Sequence, residues 1–301
     1  MHAAILRYFR EIARHGSIRR AASVLHVAPS AVDRQLLKLE AELGMPIFDR
    51  LPGRMRLNRA GEILLQHVSG TLADFDRARA EIDDLSGVKT GHVTIAAVDS
   101  LLVEFLPQAL GRFRADFPAV NFTVLAVEPA SIPGDVASGR ADLGLTFVSD
   151  PPVGTRFVAS FAAPIGVIMA AGHPLARKRA VRFDDARAFP YLGQQGPLPK
   201  SADIDPKFAA FRDRLEPKLV SNAIPVFKHV IRDGWGIAFF TRFGFLREIA
   251  AGELAWRPFA SRRINTLKLG LIVPEARNLP SVARTLTDRL TDELKRLEDA
   301  P

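Results

Sequence analysis

Through the first 85 residues, apolar side chains recur every three to four positions; beyond residue 91 they gather instead into short unbroken runs. The first pattern predicts helices and the second predicts buried strands. Ile5, Leu6, Phe9, Ile12 and Ala13 mark one helical face, closed by Gly16 as a C-terminal glycine. Ser17 is placed to N-cap a second helix whose Ile18, Ala21, Ala22 and Leu25 face inward. After Ala28-Pro29, a third helix carries Val32, Leu36, Leu39 and Leu43 on one face and ends at Gly44. The small pair Ala21-Ala22 permits the close crossing that a helix-turn-helix needs. Ile47-Phe48 and Met55 to Leu57 flank Pro52-Gly53, which predicts a β-hairpin. Asn58 can cap a long helix reaching about Leu85. Its Leu65, Val68, Leu72, Phe75 and Ile82 follow heptad-like spacing, interrupted by Arg79, and call for a partner surface.

Residues 86–91, SGVKTG, read as a linker. Beyond it, strands are expected at 92–98, 120–127, 141–147, 163–171, 236–240 and 266–273, with amphipathic helices at 101–116, 131–139, 223–233 and 280–297. The alternation predicts an α/β domain with largely parallel sheets, and about 210 residues suggest two subdomains with a cleft between them.

Charge adds a functional direction. Residues 1–60 hold eleven Lys and Arg against five Asp and Glu, so six of the eight net positive charges lie in the first fifth of the chain. A small basic headpiece on a nearly neutral body suits a polyanion. Zero cysteines exclude a disulfide framework, a thiolate metal site and a thiol redox switch. The N-terminus has no apolar core behind a basic start, and no window approaches the ~18 apolar residues of a membrane span, so a cytoplasmic protein is expected. The seven histidines form no metal-ligand spacing, no phosphate-binding or nucleophile motif occurs, and no cofactor or metal is expected.

From Tyr8 to Leu65 the chain resembles the winged helix-turn-helix of the LysR-type transcriptional regulators of bacteria. The likeness is carried by Phe9, Gly16-Ser17, Ala21-Ala22, Leu25, Ser30-Ala31-Val32, Arg34-Gln35, Leu39-Glu40, Leu43-Gly44, Phe48, Arg50, Leu57 and Ala60-Gly61. GHPLA (172–176) and IRDGWGIAFF (231–240) are similar to parts of that family's periplasmic-binding-protein-like effector domain. Where the family usually has a polar pair, Ser or Asn, Thr, and Leu-Leu-Pro, this chain has Ala28-Pro29, Asp33, Asn58 and Phe239-Phe240-Thr241. The resemblance implies an α/β protein with a winged helix-turn-helix at 1–58, a dimerising linker helix at 59–87 and a two-lobed effector domain at 92–301. It also implies a homodimeric or homotetrameric regulator that binds operator or promoter DNA under control of a small-molecule effector. The rival reading is a small-molecule-binding protein or enzyme whose N-terminal helices serve only assembly.

On the third helix the apolar face leaves Ser30, Asp33, Arg34, Gln35 and Lys38 to meet DNA, with Ser17 at the start of the second helix. Arg34 and Gln35 suit guanine and adenine, although Arg34 equally suits phosphate. Arg19, Arg20, Arg50, Arg54 and Arg56 are assigned to phosphates. Asp33 admits three readings: partner of Ser30 in a capping box, which is the expectation, support for Arg34, or acceptor from cytosine. For the effector, Asp99, Ser100 and Leu101 lie where a strand gives way to a helix, and the alternative for Ser100 is a plain N-cap. By the same alignment of strand ends, Glu128, Pro129, Thr146, Phe147 and the loop Gln195-Gly196-Pro197-Leu198 should line the cleft. The acids Asp99 and Glu128 disfavour a carboxylate effector and point to a cationic or hydroxylated one.

Overall fold

In helix α1 (His2–His15), Phe9 and Ile12 are fully buried, and Gly16 follows with φ 61°, a left-handed stop that glycine adopts without Cβ strain. Ser17 starts α2 (Ile18–Val24) as expected, its side chain accepting from the Arg20 N–H. These elements belong to a computed structural model that describes residues 2–51, 53–84, 90–148, 153–195, 205–261, 263–276 and 278–298. The chain divides into two compact units, the first built on residues 1–88 and the second on most of the chain beyond.

Helix α3 (Pro29–Leu43) corrects the expected capping box. Its N-cap is Ala28, in an extended conformation and without a side-chain bond, and Pro29 occupies the first helical position. Proline has φ preset for a helix and no N–H to satisfy, so the helix begins before Ser30 can cap it. Asp33 therefore sits in the second turn, where its carboxylate lies 3.8 Å from the Arg50 guanidinium. Val32, Leu36 and Leu39 are buried as expected, whereas Leu43 in the last turn is exposed.

The hairpin consists of β1 (Phe48–Leu51) and β2 (Arg54–Leu57), antiparallel with Arg50 opposite Met55. It is fixed at both ends: Met55 N–H donates to the Gly16 carbonyl at 2.8 Å, and Asn58 caps α4 (Arg59–Asp84) by accepting from Gly61 N–H at 3.0 Å. The heptad-like stripe of α4 divides. Val68 and Leu72 are buried with Phe9, Ile12, Val32, Leu36, Ile47 and Phe48 in one core, with Leu64 and Leu65 at its edge. Phe75 and Ile82, farther along, are exposed. Periodicity alone does not separate a stripe buried within its own unit from one left open; the reach of the short headpiece helices decides it.

The second unit has two five-stranded sheets. One runs β4 (Val120–Ala126), β3 (Gly91–Ala97), β5 (Leu143–Val148), β12 (Lys268–Pro274), β6 (Thr155–Ala162); the other runs β11 (Leu254–Pro258), β7 (Gly166–Ala170), β10 (Ile237–Phe240), β8 (Tyr191–Gln194), β9 (Pro217–Ser221). Each is mixed rather than largely parallel: β3 pairs parallel with β4 and β5, while β12 pairs antiparallel with β5 and β6. In the second sheet β8 is parallel to β9 and β10, and β7 is antiparallel to β10 and β11. The expected strands are found. Strands β6, β8, β9 and β11 are additional to them, because they are half-buried or begin beside Pro and carry no continuous apolar run.

The expected helix 101–116 is two helices, α5 (Asp99–Leu102) and α6 (Phe105–Asp116). The first sheet is covered by α6, α7 (Ile132–Ala137) and α12 (Ser281–Glu298), whose Phe113, Val136, Leu286 and Leu290 are buried against it. On the second, α8 (Phe183–Arg187) and α9 (Pro206–Arg212) form one side, and α10 (Ile224–Arg232) and α11 (Leu246–Ala250) the other. The chain passes between the sheets twice, from β6 to β7 and back from β11 to β12, and the two passages are bonded by Ala163 N–H to the Leu267 carbonyl at 2.9 Å. A turn at Arg242–Phe245 buries Phe243 in the first sheet's core and Phe245 in the second's.

Candidate functional site

Two places on the chain collect the residues singled out above. In the headpiece, Arg19, Arg20, Ser30, Arg34, Lys38, Arg50, Arg54 and Arg56 are exposed, Asp33 and Gln35 are half-buried beside the core, and Ser17 is occupied as a cap. Between the α1–α2 turn and the hairpin lies an open groove of about 590 Å³, lined by Arg14, Arg20, Arg54 and Arg56 with Gly16 and Ser17. Its one described acid, Glu62, is paired with Arg59 at 3.3 Å. Arg14 escapes sequence reasoning, since nothing in its local pattern separates it from any other arginine on a helix; the Met55-to-Gly16 bond brings it beside the hairpin. Among the described residues no acid lies within ion-pair distance of Arg19, Arg20, Arg34, Arg54 or Arg56, leaving those charges for an external anion.

Glu40 supplies a link that the sequence did not disclose. Its Oε1 accepts from the Ile47 N–H at 2.9 Å and its Oε2 lies 3.9 Å from Arg50, so one half-buried carboxylate on α3 fixes both the entry and the outer face of the hairpin. Arg50 thus stands between two acids, Asp33 and Glu40, which set its direction without neutralising the other arginines. Lys38 lies 3.9 Å from Glu42 in an exposed pair that holds it weakly.

In the second unit, a cavity of about 70 Å³ is lined by Val98, Asp99, Ser100, Pro129, Phe147, Ile165, Gln194, Phe239, Phe240, Thr241 and Leu267. It lies where both passages between the sheets run, which is why residues as distant in sequence as Val98 and Leu267 meet there. Asp99, Ser100, Pro129 and Phe147 are therefore brought together. Leu101 is not: it is fully buried in the first sheet's core. Glu128 and Gln195 are exposed and do not line the cavity, and Thr146, also buried, acts from behind by donating to the Pro129 carbonyl at 3.1 Å. Gly196, Pro197 and Leu198 lie outside the described residues. Gln194, Phe239, Phe240 and Thr241 escape sequence reasoning because the second sheet contributes them through a pairing of distant strands, and Ile165 and Leu267 because they lie on the two passages between the sheets.

The N-cap of α5 is Val98, without a side-chain bond, so Ser100 is not the plain cap weighed for it. Its hydroxyl is buried and has no hydrogen-bond partner among the described residues. Burial pushes the Asp99 carboxyl above the usual carboxylate range, and the N–H groups of Ser100 and of Asp99 itself oppose that shift. Among the described residues no group of His, Cys, Asp and Glu is placed to hold a metal ion.

A family model for the bacterial regulatory helix-turn-helix protein, lysR family, matches residues 4–62, and one for the LysR substrate binding domain matches residues 86–295. The chain belongs to the LysR family. A "Probable RuBisCO transcriptional regulator" of Gracilaria tenuistipitata var. liui is 26% identical over 293 residues, covering 95% of this chain and 94% of that one. A full-length OxyR variant from Pseudomonas aeruginosa has a similar fold, with TM-score 0.70 at 19% identity and coverage of 96% and 97% of the two chains. Full-length CbnR, solved in complex with its target DNA, gives TM-score 0.64 at 17% identity over 98% and 99%. This LysR-type protein is accordingly a DNA-binding transcriptional regulator with an effector-binding domain, and among the described residues no helix is long and apolar enough to cross a membrane.

Proposed function

We propose that residues 1–58 are the DNA-binding domain, 59–87 the dimerisation helix and 92–301 the effector domain of a cytoplasmic regulator without catalytic activity. Arg34 and Gln35 read base edges from α3 in the major groove, with Ser30 and Lys38 beside them. Arg19, Arg20, Arg50, Arg54 and Arg56, joined by Arg14 in the groove, grip phosphates. The observation that carries this reading is the basic groove between the α1–α2 turn and the hairpin, where Arg20, Arg54 and Arg56 have no acidic partner among the described residues.

Two copies are joined through the exposed second half of α4, where Phe75 and Ile82 continue the apolar stripe past the headpiece core. An effector seated at Asp99, Ser100, Pro129 and Phe147 selects one arrangement of the two lobes, and only a ligand that binds the two arrangements unequally can change DNA binding.

The test is a gel-shift titration with the DNA upstream of the protein's own gene at two salt concentrations. Sequence-specific binding should weaken steeply with salt, and the slope of log K against log salt should fall by about 0.9 for each phosphate contact removed by Arg54→Ala or Arg56→Ala. Arg34→Ala should relax base preference. No preference over random DNA overturns the reading, and a uniform loss with Arg34→Ala makes that residue a phosphate contact.

A further inference from the structure

The effector cavity carries more information than its location. Its described polar groups are few: the Asp99 carboxyl, the Ser100 hydroxyl, the Gln194 amide and Thr241, which is buried. No Arg, Lys or His is among the described residues that line it. The remaining wall is Val98, Pro129, Ile165, Leu267 and three phenylalanines. A carboxylate placed here would lose water, find no described cation and face Asp99, an arrangement whose desolvation nothing in the described wall offsets.

A cationic ligand would find one described acid, Asp99, whose charge burial disfavours, and two of the three rings that could add to its hold are already engaged with other rings. Phe239 stacks on Tyr191 at 4.7 Å with planes 22° apart, and Phe240 packs on Phe227 at 4.9 Å and on Phe245 at 5.3 Å. Glu128, which would have supplied a second negative charge, is exposed and not part of the wall. The group left wanting a partner is uncharged: Ser100 Oγ is buried, without a bond to any described residue, and at the cavity wall. Such a group is normally satisfied in the state for which a protein is built.

Resting on the reading of this cavity as the effector site, we propose that the effector is a small uncharged molecule bearing a hydroxyl, amide or carbonyl group, bonded to the Ser100 hydroxyl, with its apolar part against Phe147, Phe239 and Phe240. The volume of about 70 Å³ is under half of the ~150 Å³ cavity that admits benzene, so the ligand is short or the lobes part slightly around it.

The test uses the full chain and sets of equal-shaped probes, from propanamide, propanoate and propylammonium to benzamide, benzoate and benzylammonium, with the matching alcohols. The readout is the melting temperature. The uncharged member should raise it, on the order of 3 °C at ten times its Kd, more than the charged members do. Ser100→Ala should weaken the uncharged ligand about 3- to 10-fold while leaving the unliganded melting temperature unchanged or raised, because it removes an unsatisfied buried hydroxyl. Asp99→Asn should preserve uncharged binding. If a carboxylate or an ammonium ion stabilises best and Ser100→Ala or Phe239→Leu weakens it, the cavity remains the effector site and the proposed chemistry is wrong. If no probe stabilises, or no stabilisation responds to either variant, the proposal is overturned together with the siting.

Discussion

Lys228→Met should be the most costly single change of charge in the effector domain. Lys228 Nζ lies 2.8 Å from Glu104 Oε1 and 2.9 and 2.7 Å from the two carboxylate oxygens of Glu248. The three side chains are only 12%, 12% and 17% exposed. Glu104 precedes α6 on the first sheet's layer, Lys228 is on α10 against the second sheet, and Glu248 is on α11, so this triad ties the two lobes beside the turn that joins them. At a charge separation near 4 Å and an effective dielectric constant of about 20, each pair attracts by about 4 kcal/mol, most of which offsets the loss of water by three groups. Removing only the cation leaves two half-dehydrated carboxylates facing each other, with the Arg247 N–H on Glu104 as the remaining donor. The expected loss is about 3 kcal/mol.

Urea unfolding followed by tryptophan fluorescence isolates this effect, because both tryptophans, Trp235 and Trp256, lie in the second unit. With a slope of roughly 2 kcal/mol per molar urea, the midpoint should fall by about 1.5 M. Adding Glu104→Gln and Glu248→Gln to Lys228→Met should restore most of it, since the loss comes from uncompensated charge and not from missing contacts. A midpoint within about 0.3 M of wild type for the single variant, or no recovery in the triple variant, refutes the reasoning.

Other changes test other parts of the chain. Gly61→Ala would drive a Cβ into the Ile47 carbonyl and to 2.7 Å from Leu57 Cδ2, so the headpiece should lose at least about 3 kcal/mol and operator binding while tryptophan-detected unfolding is unchanged. Asp33→Asn weakens a long 3.8 Å pair between the exposed Arg50 and the half-buried Asp33 and should change headpiece stability by under about 0.5 kcal/mol; a loss above ~1 kcal/mol would restore the helix-capping role. Asp99→Asn should raise the melting temperature at neutral pH. With the folded-state pKa above the unfolded one, the native protein holds this proton more tightly, so the acid costs stability as pH rises through the folded value. The variant's advantage should therefore vanish as pH falls below the ordinary carboxylate range, and an advantage independent of pH would contradict the cause assigned here.

Much of the headpiece was legible because its signals are local. Gly16, Ser17, Gly44 and Asn58 act through their own backbone and their neighbours within a turn, and the structure finds each in the place expected. The departure at Asp33 has the same origin. Two local signals competed, the Ser30–Asp33 spacing and Pro29, and the proline prevailed because a ring that fixes φ and removes a donor leaves less freedom than an optional side-chain bond.

The cavity was only partly legible. Asp99, Ser100, Pro129 and Phe147 follow strand ends of the first sheet, where chain order and spatial order still agree. Phe239, Thr241, Gln194 and Leu267 arrive through β8, β10 and the return passage to β12, and no window of sequence contains that pairing.

By itself, then, the sequence determined the three headpiece helices and hairpin, the alternating α/β body and the concentration of positive charge at one end, since periodicity, caps and net charge are properties of adjacent residues; most of the expected linker, at 86–89, lies outside the described residues. The tertiary structure alone decided that the sheets are mixed, that Val68 and Leu72 are buried while Phe75 is exposed, that Asp33 faces Arg50, and that Ser100 is buried without a partner among the described residues. Those facts depend on strand direction and on which distant surfaces meet, and the free energy that selects among such arrangements comes from burial summed over the whole core, beyond any local run of side chains.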